Sequence, residues 1–167
     1  MEENNVLDIL KQAILLERRG KAFYKKFAEQ AENSAVRDVF QIMADEEQKH
    51  IKTLAEQFKA YNRDKKFIRG SFDDTGTSQV ASKVLTQEIK EKISAAGFEA
   101  AAISAAIAME ERAVKLYAEN AETAADPEAK NLYAWLTRWE REHLNFLLDI
   151  DKALREKIWF DNKFWRF

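Results

Sequence analysis

Apolar residues recur every three or four positions along four long stretches of the chain, the spacing of one face of an α-helix. The first stretch runs roughly over 5–32, with Val6, Leu10, Ala13, Glu17, Gly20, Tyr24, Phe27 and Ala31 in its stripe. The second, roughly 34–61, aligns Val36, Phe40, Met43, Glu47, His50, Leu54 and Phe58. The third, roughly 98–125, aligns Ile103, Ile107, Glu110, Val114, Tyr117 and Ala121. The fourth, roughly 127–157, aligns Leu132, Leu136, Glu140, His143, Leu147, Ile150 and Leu154. Asn33-Ser34 separates the first pair, with Ser34 as the expected N-cap, and Asp126-Pro127 separates the second. Asp at the cap with Pro at the first helical position is a strong helix start. The pattern predicts an all-α chain of two helical hairpins, 5–61 and 98–157.

Residues 62–97 join the hairpins. An up-down bundle needs only a short loop here, so a connector of this length predicts a crossover along the bundle. Its second half carries Val80, Val84, Ile89 and Ile93 at helical spacing and predicts a short amphipathic helix. The predicted architecture is a four-helix bundle of the ferritin-like kind over 1–158, followed by an aromatic tail, 159–167. The tail holds Trp159, Phe160, Phe164, Trp165 and Phe167. It is expected to fold back on the bundle or cover a dimer contact, since left exposed it would form a large apolar patch; the alternative is a docking peptide for a partner protein or shell.

A shift of 93 residues lays the second hairpin on the first without a gap. Ala13-Ile14 falls on Ala106-Ile107, Glu17 on Glu110, Tyr24 on Tyr117, Glu47 on Glu140, His50 on His143 and Leu54 on Leu147. The chain is a duplicated hairpin.

Composition narrows the chemistry. With 27 Lys+Arg against 29 Asp+Glu, the net charge of −2 excludes a partner held by bulk positive charge, nucleic acid above all. The run Lys59, Arg63, Lys65, Lys66 and Arg69 reads as a solvated connector. With 0 Cys there are no disulfides, thiol nucleophiles or cysteine-bound iron. Histidine chemistry must use His50 or His143, the only two in the chain. No apolar run is long enough to span a membrane and the start shows no secretory pattern, so the expected compartment is the cytoplasm.

Four glutamates interrupt the apolar stripes, and a carboxylate is almost never fully buried unless paired or bound to metal. Glu17 lies about 16 residues before its turn and Glu47 to His50 about 14 to 17 after theirs, so at about 1.5 Å per residue they share one height. Glu110, Glu140 and His143 repeat the arrangement around Asp126. Two Glu-x-x-His pairs plus one Glu from each remaining helix is the ligand set of a di-iron or di-manganese bundle. Glu47 and Glu140 can bridge two ions. Glu17 and Glu110 can each cap one, and each ion takes one His. The oxygen-rich set favours two Fe, with Mn possible, over a structural zinc site, although Zn can substitute in purified protein. Tyr24 and Tyr117 can hydrogen-bond the ligand carboxylates, or serve as core aromatics. Glu46 can accept from the outer nitrogen of His143; its repeat mate, Trp139, cannot accept.

The segments AILLERRGKAFY with DEEQKH, and AIAMEERAVKLY with WEREH, make the chain similar to the rubrerythrin group of the ferritin-like superfamily. The resemblance covers both helix pairs. It implies a di-iron centre, homodimers, and reaction of reduced iron with H2O2 or O2, hence a role in oxidative stress. Two departures stand out. Rubrerythrins carry a further Glu one turn after the third-helix ligand, where this chain has Ala113, and they carry a cysteine-bound rubredoxin domain. The implied electrons therefore come from a separate donor protein. Alternative readings are a ferroxidase or iron-handling protein, and a non-catalytic metal-binding bundle.

Overall fold

The structure, a computed structural model, describes residues 3–70 and 98–161. Among them are four helices and no strand: α1 (Glu3–Gln30), α2 (Ser34–Asp64), α3 (Phe98–Thr123) and α4 (Pro127–Asp161). The predicted short helix of the connector and most of the aromatic tail lie outside the described residues. The tail's start does not leave the helix at 158, because α4 continues to Asp161.

Both hairpin turns are capped one residue before the helix. Asn33 Oδ1 accepts from Val36 N at 3.3 Å, so Asn33, and not Ser34, is the N-cap of α2. Its repeat mate Asp126 accepts from Glu128 N at 2.8 Å and Ala129 N at 3.3 Å, with Pro127 opening α4. At the far end of α2, Lys65 takes a positive φ of 54° and ends the helix. Gln57 then clasps the chain that follows, donating to Ile68 O and accepting from Ile68 N.

Each hairpin packs along its own length, and α1 also approaches α3. The inward positions of α3 are Ile103, Ala106, Glu110, Ala113 and Tyr117. Ile107 and Val114, expected in that stripe, are half-buried beside it. Ala106 and Ala113 are the repeat mates of Ala13 and Gly20 on α1, and small side chains here suit the close approach of these two helices.

The core is two apolar clusters with a polar layer between them. One holds Phe27, Val36, Phe40, Ile103, Phe146, Leu147 and Ile150 around the α1–α2 turn. The other holds Leu10, Leu54, Phe67, Leu132 and Leu136 around the α3–α4 turn. The two turns therefore sit at opposite ends, α1 runs antiparallel to α3, and the chain re-enters the bundle at the end opposite to where α2 leaves it. This arrangement, which agrees with an expected crossover, brings the two copies of the repeat face to face at mid-height.

Candidate metal centre

The layer between the clusters is built by all four helices. Glu17 comes from α1, Glu47 and His50 from α2, Glu110 from α3, and Glu140 and His143 from α4. Each of the six is at most 3% exposed. In each Glu-x-x-His pair the three-residue step puts carboxylate and imidazole on one face, one turn apart. His50 Nδ1 lies 2.9 Å from Glu140 Oε1, 3.1 Å from Glu17 Oε2 and 3.6 Å from Glu47 Oε2. His143 Nδ1 lies 3.3 Å from Glu47 Oε1, 3.5 Å from Glu140 Oε2 and 3.8 Å from Glu110 Oε1. Two groups of four result, Glu17–Glu47–His50–Glu140 and Glu47–Glu110–Glu140–His143. Within each, the donor atoms lie within 4.8 Å of one another. An ion with bonds near 2.1 Å holds its donors within about 4.2 Å, so small side-chain adjustments suffice. Glu47 and Glu140 belong to both groups, one oxygen turned to each.

Tyrosines from the two apolar clusters support the layer. Tyr24 O–H donates to Glu110, and Tyr117 O–H donates to Glu17. Each bond crosses between hairpins. Side chains on a helix lean toward its N-terminus, and α1 and α3 are antiparallel, so Tyr24 and Glu110 lean toward each other, as do Tyr117 and Glu17. Along one helix, two turns of about 10.5 Å would separate the pair. On the outer side of His143, Nε2 lies 2.8 Å from Glu46 Oε2. Trp135 and Trp139 stand edge-on to His50, with ring centroids 5.4 and 5.3 Å away. Helical spacing alone does not indicate that both indoles converge on one imidazole.

Burial and mutual repulsion set the protonation of the layer. Burial, then the charges of Glu140 and Glu47, push Glu17 and Glu110 well above the usual carboxylate value. Burial also pushes on Glu140, but the imidazolium of His50 and hydrogen bonds from both histidines outweigh it and hold that carboxyl well below its usual value. Burial and Glu140 oppose ionisation of Glu47, yet hydrogen bonds from Glu17, His143 and His50 win and keep it low. Burial disfavours charged imidazoles, but the surrounding carboxylates raise both histidines well above 6.5. In the metal-free layer protons are thus favoured on Glu17, Glu110, His50 and His143, and charge on Glu47 and Glu140. Two dications balance four carboxylates with neutral imidazoles among these six residues, so metal binding displaces protons from the layer.

The donor set fits a pair of ions. Glu140 Oε1 and His143 Nδ1 are fully buried, face the layer and lack a well-aligned hydrogen bond, although charged neighbours lie close. Buried polar atoms in that state cost stability unless something pairs with them. A cavity of about 10 Å³ opens on the layer, lined by Leu16, Glu17, Gly20, Glu47, Met109, Glu110, Ala113 and Glu140. The lining is four repeat pairs. A Cβ on Gly20 would come within 3.4 Å of the Glu47 carboxyl carbon, so the glycine leaves this face open. Glu111 is exposed and takes no part.

Two outcomes follow from the charge pattern. The raised groups, Glu17, Glu110, His50 and His143, hold protons more tightly folded than unfolded, so what they contribute is lost as pH rises through their folded values. The lowered pair, Glu47 and Glu140, loses its contribution only in acid. In chelator the melting temperature should therefore fall from about pH 6 to about pH 9; with divalent metal, whose affinity rises as protons leave, this fall should shrink or reverse. Second, E17Q/E110Q replaces neutral carboxyls by amides of the same shape and should leave the metal-free melt little changed while weakening metal binding. E47Q/E140Q strips two buried imidazoliums of their counter-charges and should destabilise the metal-free protein by about 3–5 kcal/mol, the scale for breaking a buried pair. Thermal and urea melts in chelator read both.

No curated protein matches the chain, and no solved structure does. The family model described as Rubrerythrin matches residues 8–151, which takes in α2, α3, all six buried Glu and His of the layer and both tyrosines. A duplicated hairpin, a lengthwise crossover and a layer of four glutamates and two histidines suited to two metal ions agree with that match: the chain belongs to the rubrerythrin family.

Proposed function

We propose that this protein is a di-iron carboxylate oxidoreductase that reacts reduced iron with H2O2 or O2 and takes its electrons from a separate donor protein. The observation that carries the reading is the cavity of about 10 Å³ lined by all four glutamates. Room for about one water-sized molecule beside the carboxylates gives a small oxidant a place to approach the layer. Reduced iron, when bound, supplies one electron per ion, so that H2O2, two electrons and two protons become two waters.

The chain's own residues do the rest. Glu47 and Glu140, which belong to both groups of donors, would hold both ions. Glu17 with His50, and Glu110 with His143, complete the two positions. Tyr117 and Tyr24 fix the capping carboxylates through their hydroxyls. Leu16 and Met109 wall the cavity, and the apolar clusters on either side keep bulk water out. Iron is the preferred metal because the donors are mostly oxygen with one imidazole per ion; manganese is the runner-up. The family resemblance favours a homodimer, the sequence pattern favours the cytoplasm, and no described helix is long and apolar enough to cross a membrane.

One observation favours a second reading, oxidation of Fe(II) for hand-on or storage. Ala113 lines the cavity where rubrerythrins have a further carboxylate, so this site lacks a donor of the peroxidase members.

Anaerobic chain loaded with two Fe(II) and mixed with H2O2 or O2 in a stopped-flow instrument separates the two. The expected result is about two Fe(II) oxidised per chain, faster with H2O2, and repeated turnover when a reductant is supplied. Oxidation of many Fe(II) per chain by O2, with iron retained, would favour the second reading and contradict the first.

A further inference from the structure

The two halves of the layer come from one repeat, yet the outer edges of their imidazoles meet different neighbours. His143 turns Nδ1 inward, and its Nε2 lies 2.8 Å from Glu46 Oε2, a carboxylate 1% exposed. His50 also turns Nδ1 inward, 3.1 Å from Glu17 and 2.9 Å from Glu140. Its Nε2, equally buried, has no hydrogen-bond partner among the described residues. The residue that corresponds to Glu46 in the other half, 93 positions on, is Trp139. That indole packs edge-on to His50 and offers only an N–H, itself without a partner. Trp135 covers another side of the same imidazole.

An imidazole that binds a cation through Nδ1 keeps its proton on Nε2. A carboxylate accepting that proton fixes the ring and makes it a more basic ligand, and loss of such a partner typically costs about 10–100-fold in metal affinity. His143 has this partner. His50 faces two indoles, and a solvent molecule in the same place would be a neutral acceptor. We infer that the two metal positions are unequal and fill in order. The first divalent ion goes to the Glu110–His143 position, and the second goes to the Glu17–His50 position, which binds it more weakly and releases it first. Glu46 and Trp139 are the positioning residues that set the difference. The inference rests on the two-metal reading above.

The test is a zinc titration of the metal-free whole chain, with the ring nitrogens of 15N-labelled histidine followed by NMR and the affinities by calorimetry. At one equivalent the His143 signals should stand at their bound positions and those of His50 should remain free; at two equivalents both should be bound. The two steps should differ by about tenfold or more. E46Q should weaken the first step, and W139E, which restores a carboxylate beside His50, should tighten the second, so each narrows the gap. E46Q is nearly isosteric, and it decides the matter even if W139E fails to fold. Equal occupancy of His50 and His143 at one equivalent, or an unchanged gap in E46Q, overturns the inference and leaves the two-metal reading intact. No zinc binding at all overturns both.

Discussion

Four carboxylates at one level of a small helical core cannot all be charged without cations among them. The rest of the structure answers to that constraint. Without metal, burial and mutual repulsion favour protons on Glu17, Glu110, His50 and His143, while the histidines favour charge on Glu47 and Glu140. Every member is within reach of an opposite charge or a hydroxyl, which is the condition for keeping such groups away from water. The same positions suit two dications, whose charge four carboxylates balance.

The surroundings hold this layer in place without screening it. Apolar clusters above and below remove water and make the electrostatics strong. Tyr24 and Tyr117 each belong to one cluster and reach across to the opposite hairpin's glutamate, so the duplicated halves are tied by the groups that matter for chemistry. Small residues on the facing sides of α1 and α3, Gly20 and Ala113 in particular, leave a gap beside the carboxylates. A site of this kind costs stability when empty of metal, and proteins commonly accept that cost at functional positions.

Much of this was legible before any coordinates. The 93-residue repeat aligns Glu with Glu and His with His at equal distances from two turns, and helix geometry turns those distances into a common height. The long connector already implied that the hairpins meet head to tail. Other features depend on how helices face one another. That Tyr24 reaches Glu110, and not a residue of its own helix, follows only once α1 and α3 are known to be antiparallel. Ile107 and Val114 drew the predicted stripe of α3 because they are larger than Ala106 and Ala113, yet the smaller residues face inward where the helices approach. The cavity left no mark in the hydropathy pattern, because a glycine and an alanine in a helix read as ordinary. Its one trace was that both stand one turn after an inward glutamate. Asn33 and Ser34 are both good caps, and only the bond to Val36 N decides between them.

Metal and protons compete for the same buried side chains. Counting protons released on metal binding tests this competition most directly. Calorimetric titration of the metal-free chain with a divalent ion near neutral pH, repeated in buffers of different ionisation enthalpy, gives that number. The account predicts about four protons released for two ions bound, one each from Glu17, Glu110, His50 and His143. Release of none or one, with two ions bound, would mean that the carboxylates are already ionised and the imidazoles already neutral in the metal-free protein, and the account would be wrong.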